Sequence, residues 1–265
     1  MKKRDLLIAA LVIVFFGILT ARDSLARVFW HEYGRADIAV WLAGNDSEFL
    51  MQLGNYYFNG GAYDLSKAAH AYKKALEAEP GILWGHYQLA RIYFVKGENN
   101  PALEEINKEL EANPANLRAL YVRGLIYGYR GFLGDLELAE NDFRRFVSWA
   151  PSEWAGYNDL SWILMKQLKY GEARDTLKEA VARVPNARQN PWILNALGVA
   201  QLNVKSYQAA ADSFRRAAEL VSEFTLEDFK RSYPGNDPIT AKEGFDAFRE
   251  AISKNLTSAE ARGKH

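Results

Sequence analysis

Four prolines recur at a nearly constant interval along this chain, and each follows a stretch rich in alanine, glutamate and leucine. They stand at Pro80, Pro114, Pro151 and Pro185, so the intervals between them are 34, 37 and 34 residues. Because proline cannot continue the interior of a helix, each one predicts the end of a helix and the start of a new unit. A period of this length is typical of stacked helical repeats, in which no unit buries its apolar faces alone.

Each unit carries small and large residues at the same spacing. A small residue recurs in the first predicted helix, at Gly54, Ala90, Gly124, Ser161 and Gly198. An alanine followed four residues later by a large side chain recurs in the second helix, as Ala68 with Tyr72, Ala102 with Ile106, Ala139 with Phe143, Ala173 with Leu177 and Ala210 with Phe214. We expect the small residue to allow close approach of the second helix, the alanine to face it, and the large side chain to fill the gap between repeats.

This pattern resembles the tetratricopeptide repeat family over about residues 46 to 223. The resemblance implies an all-α fold, a right-handed superhelical solenoid of about five helix-turn-helix repeats. The repeats are expected within residues 46–224, at approximately 47–80, 83–114, 117–151, 154–185 and 191–222. Residues 225–265 are expected to form a C-terminal capping helix and a tail, with residues 257–265 frayed. A short helix from Ala36 to Leu42 is expected to cap the first repeat.

A different pattern opens the chain. Three cationic residues precede an uncharged apolar run at residues 6–21. The cationic flank, residues 1–5, is expected to stay in the cytoplasm, which would place the rest of the chain across the membrane. The sequence therefore predicts a single-pass membrane protein with a cytoplasmic N-terminus, a transmembrane helix at 6–21, a juxtamembrane or capping segment at 22–45 and extracytoplasmic repeats.

Two interpretations of the apolar run stay open. As an uncleaved anchor, the run would be followed by interfacial aromatic residues at Phe29, Trp30 and Tyr33. As a secretory signal peptide, it would be cleaved after Ala26, and the repeats would be released as a soluble periplasmic or secreted protein.

Composition excludes several classes of function. Lysine and arginine together number 33, and so do aspartate and glutamate, so the chain lacks the basic excess of a nucleic-acid-binding protein. The absence of cysteine excludes disulfides, thiolate metal sites and cysteine nucleophiles. The four histidines have no partner at metal-ligand spacing, and neither a phosphate-binding loop nor a nucleophile elbow is present. We therefore predict that the protein is not an enzyme and uses no metal or cofactor.

The family resemblance also implies where a partner binds, because in this family the first helix of each repeat lines a concave surface. Residues on one face of that helix recur at i, i+3, i+7 and i+10. Trp, Tyr and Arg dominate binding hot spots, and Asn can hydrogen-bond a peptide backbone or sugar hydroxyls. The alternative is that the aromatic side chains pack between adjacent repeats. The candidate binding residues are Asn55, Trp84, Tyr87, Arg91, Phe94, Arg118, Tyr121, Asn158, Trp162, Trp192 and Asn195.

The family's known device for holding a partner's C-terminal carboxylate is a clamp of Lys and Asn residues. Asn55 matches the Asn of the first repeat, but Met51 stands at the Lys position, so the sequence departs from that clamp. Arg91 and Arg118 are instead the candidates for pairing with an acidic group of a partner.

Together these features predict a non-enzymatic scaffold or adaptor, tethered to the membrane through its N-terminal helix. It would bind a client protein or peptide in the concave groove and act in cell-envelope assembly. One alternative is the cleaved, soluble protein with a groove for a peptide or glycan. Another is a structural subunit of a membrane complex, in which the insertion at Phe132 and Leu133 or the convex face contacts other envelope-complex subunits. No nucleic-acid partner is expected.

Overall fold

The computed structural model describes residues 17, 21–59, 62–232 and 240–264, and these residues form helices joined by short turns, with no β-strand among them. By its internal contacts the chain divides into two units, Met1–Pro114 and Ala115–His265. The predicted all-helical repeat fold is therefore confirmed, and each unit is built from successive helix pairs. The predicted handedness of the superhelix and the predicted domain boundaries stay predictions.

The described residues of the first unit form six helices. Helix α1 covers residues 21–31, and the short helix α2 covers Ala36–Leu42, the span that the sequence predicts. Two pairs follow, α3 (Ser47–Asn59) with α4 (Leu65–Ala78) and α5 (Gly85–Val95) with α6 (Asn99–Ala112). Helix α4 also packs on α5, so the second helix of one repeat supports the first helix of the next.

Within the part of the second unit that the structure describes, there are three further pairs and a C-terminal addition. The pairs are α7 (Leu117–Arg130) with α8 (Asp135–Trp149), α9 (Trp154–Lys166) with α10 (Tyr170–Arg183), and α11 (Pro191–Asn203) with α12 (Tyr207–Ser222). A 3₁₀ turn, Ala187–Gln189, precedes α11. The chain ends in α13 (Leu226–Ser232) and the long helix α14 (Ala241–Arg262), which packs mainly on α12.

Polar side chains at the helix starts fix where several repeats begin. The Asp64 carboxylate accepts a hydrogen bond from Lys67 N at 3.0 Å and caps α4, and Asn116 caps α7 in the same way. Asn190 caps α11, which has Pro191 in its first turn. A capping side chain satisfies a backbone N–H that has no partner within the helix, and proline at the first position loses no hydrogen bond.

The small residues of the first helices pack differently from the sequence-based expectation. The aromatic side chain of the second helix, not its alanine, fills the space that a missing Cβ leaves. A Cβ built on Gly54 would lie 2.6 Å from Cδ1 of the Tyr72 ring, and one on Gly198 would lie 2.6 Å from Cε1 of the Phe214 ring. The large side chain therefore closes the gap within a repeat, because an aromatic ring reaches across two helices that an alanine methyl group cannot bridge.

Helix α14 packs on α12 in the way that the first helix of a further repeat would. Its buried side chains face α11 and α12, and they include Phe245, Ile252 and Ala259. The rest of its surface carries charged residues, as the outer face of a terminal repeat requires. The predicted frayed tail at 257–265 is wrong, because the helix continues to Arg262, with Ala259 in the core and a hydrogen-bonded ion pair between Arg215 and Glu260 at 2.9 Å.

The predicted single-pass membrane protein is corrected by the structure. Within the described ranges, no helix combines the length and the apolar character needed to cross a membrane. The predicted anchor at 6–21 lies outside the described residues, apart from Gly17 and Ala21.

The residues that follow the predicted anchor pack on protein. Phe29 and Trp30, which were expected at a membrane interface, lie against the core of the first unit, and the Trp30 ring meets Tyr56 edge-on at 4.6 Å. Arg22 Nε donates to the carbonyl oxygen of Leu42 at 3.1 Å. Helix α1 is thus attached to the first repeat by apolar packing and by a hydrogen bond to the end of α2.

Candidate functional site

The first unit holds Arg91 in an aromatic clamp on its first helices. The guanidinium carbon lies 4.5 Å from the centre of the Phe58 ring on α3 and 5.6 Å from the Tyr87 ring on its own helix. Arg91 Nη1 donates to Gln88 Oε1 at 2.8 Å. Among the residues that the structure describes, no carboxylate pairs with Arg91. The clamp therefore fixes a half-buried cation whose remaining N–H donors are available to a ligand.

A chain of hydrogen bonds connects this clamp to the second helix of the first repeat. Gln88 Nε2 donates to Asn55 Oδ1 at 3.0 Å, and the Tyr72 hydroxyl donates to the same oxygen at 2.8 Å. Asn55 thus orients Gln88, and Gln88 in turn orients Arg91. Because each member is held by the next, the position of the guanidinium is set before any partner arrives.

Trp84 stands at the start of α5 with its backbone in the left-handed region, at φ 71°. A bulky residue in this region is strained, and such strain persists only where the surrounding structure enforces it. The Trp84 ring meets Tyr87 edge-on at 5.3 Å and is 39% exposed. The structure therefore brings Asn55, Trp84, Tyr87 and Arg91 together in the first unit, and Phe94 lies half-buried one turn beyond Arg91.

In the second unit, Tyr121 and Asn158 meet at a buried carboxylate. The Tyr121 hydroxyl of α7 donates to Asp159 Oδ2 on α9, and Asn158 Nδ2 donates to the other carboxylate oxygen at 3.0 Å. Burial raises the pKa of Asp159 to about 6, while these two hydrogen bonds act in the opposite direction. Tyr121 and Asn158 thus serve the contact between two first helices as well as the surface beside it.

Trp162 lies across the backbone of the preceding repeat. A Cβ on Gly128 would come within 2.6 Å of its ring, and the Tyr129 ring lies 4.9 Å away. Lys166 Nζ donates to the carbonyl oxygen of Gly128 at 2.6 Å and lies 4.8 Å above the Trp162 ring. Tyr129, at 65% exposure, extends this aromatic surface into solvent, and Arg118 is exposed on the first turn of α7.

The two candidates on α11 are contacted by another helix of the chain and do not form an open binding surface. Trp192 is only 9% exposed and stacks on Phe248 of α14 with ring centres 5.0 Å apart. Asn195 accepts a long hydrogen bond, 3.4 Å, from Asn255 of the same helix. These two residues are contacted by α14, so they are not brought together with the exposed candidates of α7 and α9.

The sequence missed three residues that shape these surfaces, namely Phe58 and Gln88 in the first unit and Asp159 in the second. Phe58 lies three residues after Asn55, on the same predicted face of the first helix, but its role depends on Arg91 stacking above it. Gln88 directly follows the candidate Tyr87, and Asp159 directly follows the candidate Asn158, so both resemble solvated polar positions in the sequence. No signal in the sequence marks them, because only the contact between successive first helices gives them partners. Among the described residues, no group of three or more His, Asp or Glu side chains is placed to hold a metal ion.

Comparison with known proteins agrees with this architecture. The sequence profile described as Tetratricopeptide repeat matches residues 129–191 and 158–223. The TPR repeat-containing protein MJ1428 of Methanocaldococcus jannaschii is 38% identical over 77 residues, which are 29% of this chain and 13% of that protein. The chain therefore spans only a small part of that relative's length.

Solved structures share the fold over most of the chain. MamA from Desulfovibrio magneticus RS-1, from its residue 41 to the end, superimposes with a TM-score of 0.59 at 18% identity, covering 69% of this chain and 100% of that one. PilW, described as a widely conserved type IV pilus biogenesis factor, gives a TM-score of 0.58 at 18% identity, covering 82% of this chain and 94% of that one. At such identities the likeness shows the fold alone. The matching profile shows that residues 129–223 carry tetratricopeptide repeats, and the solved structures share the same kind of fold.

Proposed function

We propose that this protein is a non-enzymatic scaffold that binds a client protein or peptide on the first-helix faces of its repeats. Proteins of this family act as protein-protein interaction scaffolds, which supports the class of function. The observation that carries the proposal for this chain is the aromatic clamp around Arg91, which holds a cation in place without a carboxylate partner among the described residues. We propose cell-envelope assembly as the process, in keeping with the likeness to a pilus biogenesis factor.

The clamp suits an acidic group of the client. Stacking on Phe58 fixes the plane of the Arg91 guanidinium, and the hydrogen bond to Gln88 fixes its rotation. A planar guanidinium held in this way offers two parallel N–H donors to a carboxylate, and little side-chain entropy is lost on binding. Trp84 and Tyr87 border the clamp and offer aromatic surface to the neighbouring residue of the client.

The second unit offers a different chemistry. Asn158, Trp162 and Tyr129 combine an amide with aromatic surface, and the Asn158 amide is held by the buried carboxylate of Asp159. Trp162 is stabilised by the Gly128 backbone beneath it and by Lys166 above it. We propose that this surface contacts apolar and backbone groups of the client, while the clamp of the first unit contacts its charge.

The test is a crosslinking pull-down from cells with the full chain and three variants. Arg91→Glu reverses the clamped charge, Trp162→Ala removes the aromatic surface of the second unit, and Arg188→Glu is the matched control at an exposed arginine in the turn before α11. We expect one defined partner to be lost from Arg91→Glu and weakened in Trp162→Ala, and to be retained by the control. An unchanged partner list for both variants, with helical content equal to wild type, would contradict the proposal.

One observation favours a second candidate, a structural subunit of a larger complex. The turn between α7 and α8 presents Leu133 fully exposed and Phe132 at 61% exposure. The buried ion pair of Arg130 with Asp135, at 2.8 and 2.7 Å, and the hydrogen bond from Phe132 N to Asp135 make this apolar tip rigid. If the tip is the contact, Leu133→Ser removes the partner from the pull-down while Arg91→Glu does not.

A further inference from the structure

The first unit contains a cavity whose lining residues include none of those assigned to client binding. Helices α2 and α4 form its walls, and α3 contributes Tyr57. Its volume is about 450 Å³, within the range of small-ligand sites. The residues that matter for its chemistry are Val40, Trp41, Tyr57, Lys67, His70 and Lys74.

The Tyr57 hydroxyl is the first sign that this cavity receives a ligand. Tyr57 is only 5% exposed and lines the cavity, yet its hydroxyl makes no hydrogen bond to any residue within the described ranges. This hydroxyl is not enclosed but opens into the cavity, so a ligand bound there can serve as its hydrogen-bond partner. Tyr57 belongs to the repeat signature, which explains its ring but not its free hydroxyl. Burial raises the pKa of Tyr57, so the hydroxyl stays protonated and able to donate at neutral pH.

Trp41 is the second sign. Its side chain is 74% exposed at the edge of the cavity, and no aromatic ring or cation of the described chain covers it. Val40 beside it is buried, so the indole continues an apolar wall into solvent. An exposed indole next to an apolar wall offers a flat surface for a planar ring.

The polar groups of the cavity favour a ligand that accepts hydrogen bonds. Lys74 Nζ donates to the carbonyl oxygens of Val40 and Ala43 at 2.7 and 2.8 Å, which fixes the ammonium at the C-terminal end of α2 with a third N–H still available. Lys67 Nζ lies 5.5 Å above the Tyr57 ring and forms an ion pair with Asp64 at 3.2 Å, and His70 lies between the two lysines on α4.

The two carboxylates that line the cavity are matched by cations. Arg35 holds Asp37 through two hydrogen bonds of 3.0 and 2.9 Å, and Glu77 lies in the field of Lys74. The lining therefore offers the Tyr57 hydroxyl and the remaining Lys74 N–H as donors, and a ligand carboxylate at an ammonium group forms the stronger, charge-assisted kind of hydrogen bond.

We propose that the cavity between α2 and α4 binds an aromatic carboxylate, with its ring on Trp41 and its carboxylate at Tyr57, Lys67 and Lys74. The same chemistry is present in a free aromatic acid and in the C-terminal aromatic residue of a peptide. The site is independent of the client surface, because it shares no residue with the Arg91 clamp.

The experiment uses the full chain labelled with 5-fluorotryptophan and titrated with N-acetylphenylalanine, followed by fluorine NMR. The chain has seven tryptophans, and Trp41→Phe identifies the resonance of Trp41. We expect this resonance to shift saturably, and N-acetylphenylalanine amide to bind at least about fivefold more weakly because it lacks the charge. Tyr57→Phe, which keeps the ring, should weaken binding of the acid about tenfold. Tyr33→Phe, at an exposed tyrosine, is the matched control and should leave binding of the acid unchanged.

Three results would overturn the site: no saturable shift of the Trp41 resonance, equal binding of acid and amide, or wild-type binding by Tyr57→Phe. A peptide ending in phenylalanine distinguishes the two sources of the ligand. Tighter binding of the peptide than of the free acid supports a chain end, and equal or weaker binding supports a free acid. Arg91→Glu should bind the probe as wild type does, so failure of the client surface and failure of this cavity give different results.

Discussion

Replacing Gly54 by alanine tests the packing of the first repeat most directly. Within a helix this change normally stabilises, by about 1 kcal/mol, because alanine loses less backbone entropy than glycine. Here the new Cβ would lie 2.6 and 2.8 Å from the Cδ1 and Cζ atoms of the Tyr72 ring, closer than side-chain carbons approach. The ring cannot retreat, because Tyr72 is fully buried and its hydroxyl is bonded to Asn55 at 2.8 Å.

The expected magnitude follows from these opposing effects. Overpacking of a core by one carbon costs about 1–3 kcal/mol, and the close contacts place Gly54→Ala toward the upper end. After the gain in helix propensity, we expect a net loss of about 1–2 kcal/mol in the free energy of unfolding. At about 2–4 °C per kcal/mol for a protein of this size, the melting temperature should fall by about 2–8 °C.

The assay is thermal and urea unfolding followed by circular dichroism, with two matched variants. Gly171→Ala lies in α10 with no atom within 4 Å of its new Cβ, so it should leave stability unchanged or raise it. Gly124→Ala, whose new Cβ would meet Phe143 at 3.0 Å, should have an intermediate effect. If Gly54→Ala is as stable as wild type or follows Gly171→Ala, the close approach of the ring does not constrain this repeat.

Three further predictions concern buried groups of the second unit. Burial raises the pKa of Asp159 to about 6, above its unfolded value near 4, so its contribution to stability is complete below about pH 4 and is lost as the pH rises to about 6. Asp159→Asn should therefore stabilise the protein by about 2–3 kcal/mol at pH 7.5 but not at pH 4, as measured by urea unfolding at both pH values. The carboxylate of Asp142 accepts two hydrogen bonds from Arg123, at 2.7 and 2.8 Å, in a largely buried position. Asp142→Ala should therefore lower the free energy of unfolding by about 3 kcal/mol in the same assay, whereas removing an exposed i, i+4 ion pair on α14 should have no measurable effect. Trp192→Ala should lower the free energy of unfolding by about 3–5 kcal/mol because its ring is enclosed by α13 and α14, while Trp41→Ala should leave it nearly unchanged. Equal melting temperatures of the two variants would contradict the packing role of Trp192.

The repeat architecture could be predicted because it depends on local rules. The spacing of Pro80, Pro114, Pro151 and Pro185 marks the ends of helices, and the recurring small residues mark where two helices come close. Both effects act within about one repeat, so a single sequence carries them. The short helix α2 was predictable for the same reason.

The binding surfaces could be predicted only in part. The i, i+3, i+7 spacing identifies which side chains share a face of one helix, and in this way it selected Asn55, Trp84, Tyr87 and Arg91. It does not tell which of these faces another helix covers. Trp192 has the same spacing, yet α14, whose first residue is about 50 positions further along the chain, contacts it. The N-terminal segment shows the same limit, because Phe29 and Trp30 look like interfacial aromatics in sequence but pack on the first repeat.

By itself, therefore, the sequence determined the class of fold, the phase of the repeats and the residue types on the first-helix faces, since these depend on backbone preferences and on neighbours within one repeat. Only the tertiary structure decided which polar groups are partnered. The stacking of Arg91 on Phe58, the burial of Asp159 and the unpaired hydroxyl of Tyr57 all depend on contacts between different helices. The strength of a charge or a hydrogen bond is set by burial and by distance to its partner, and both quantities exist only once the helices have packed.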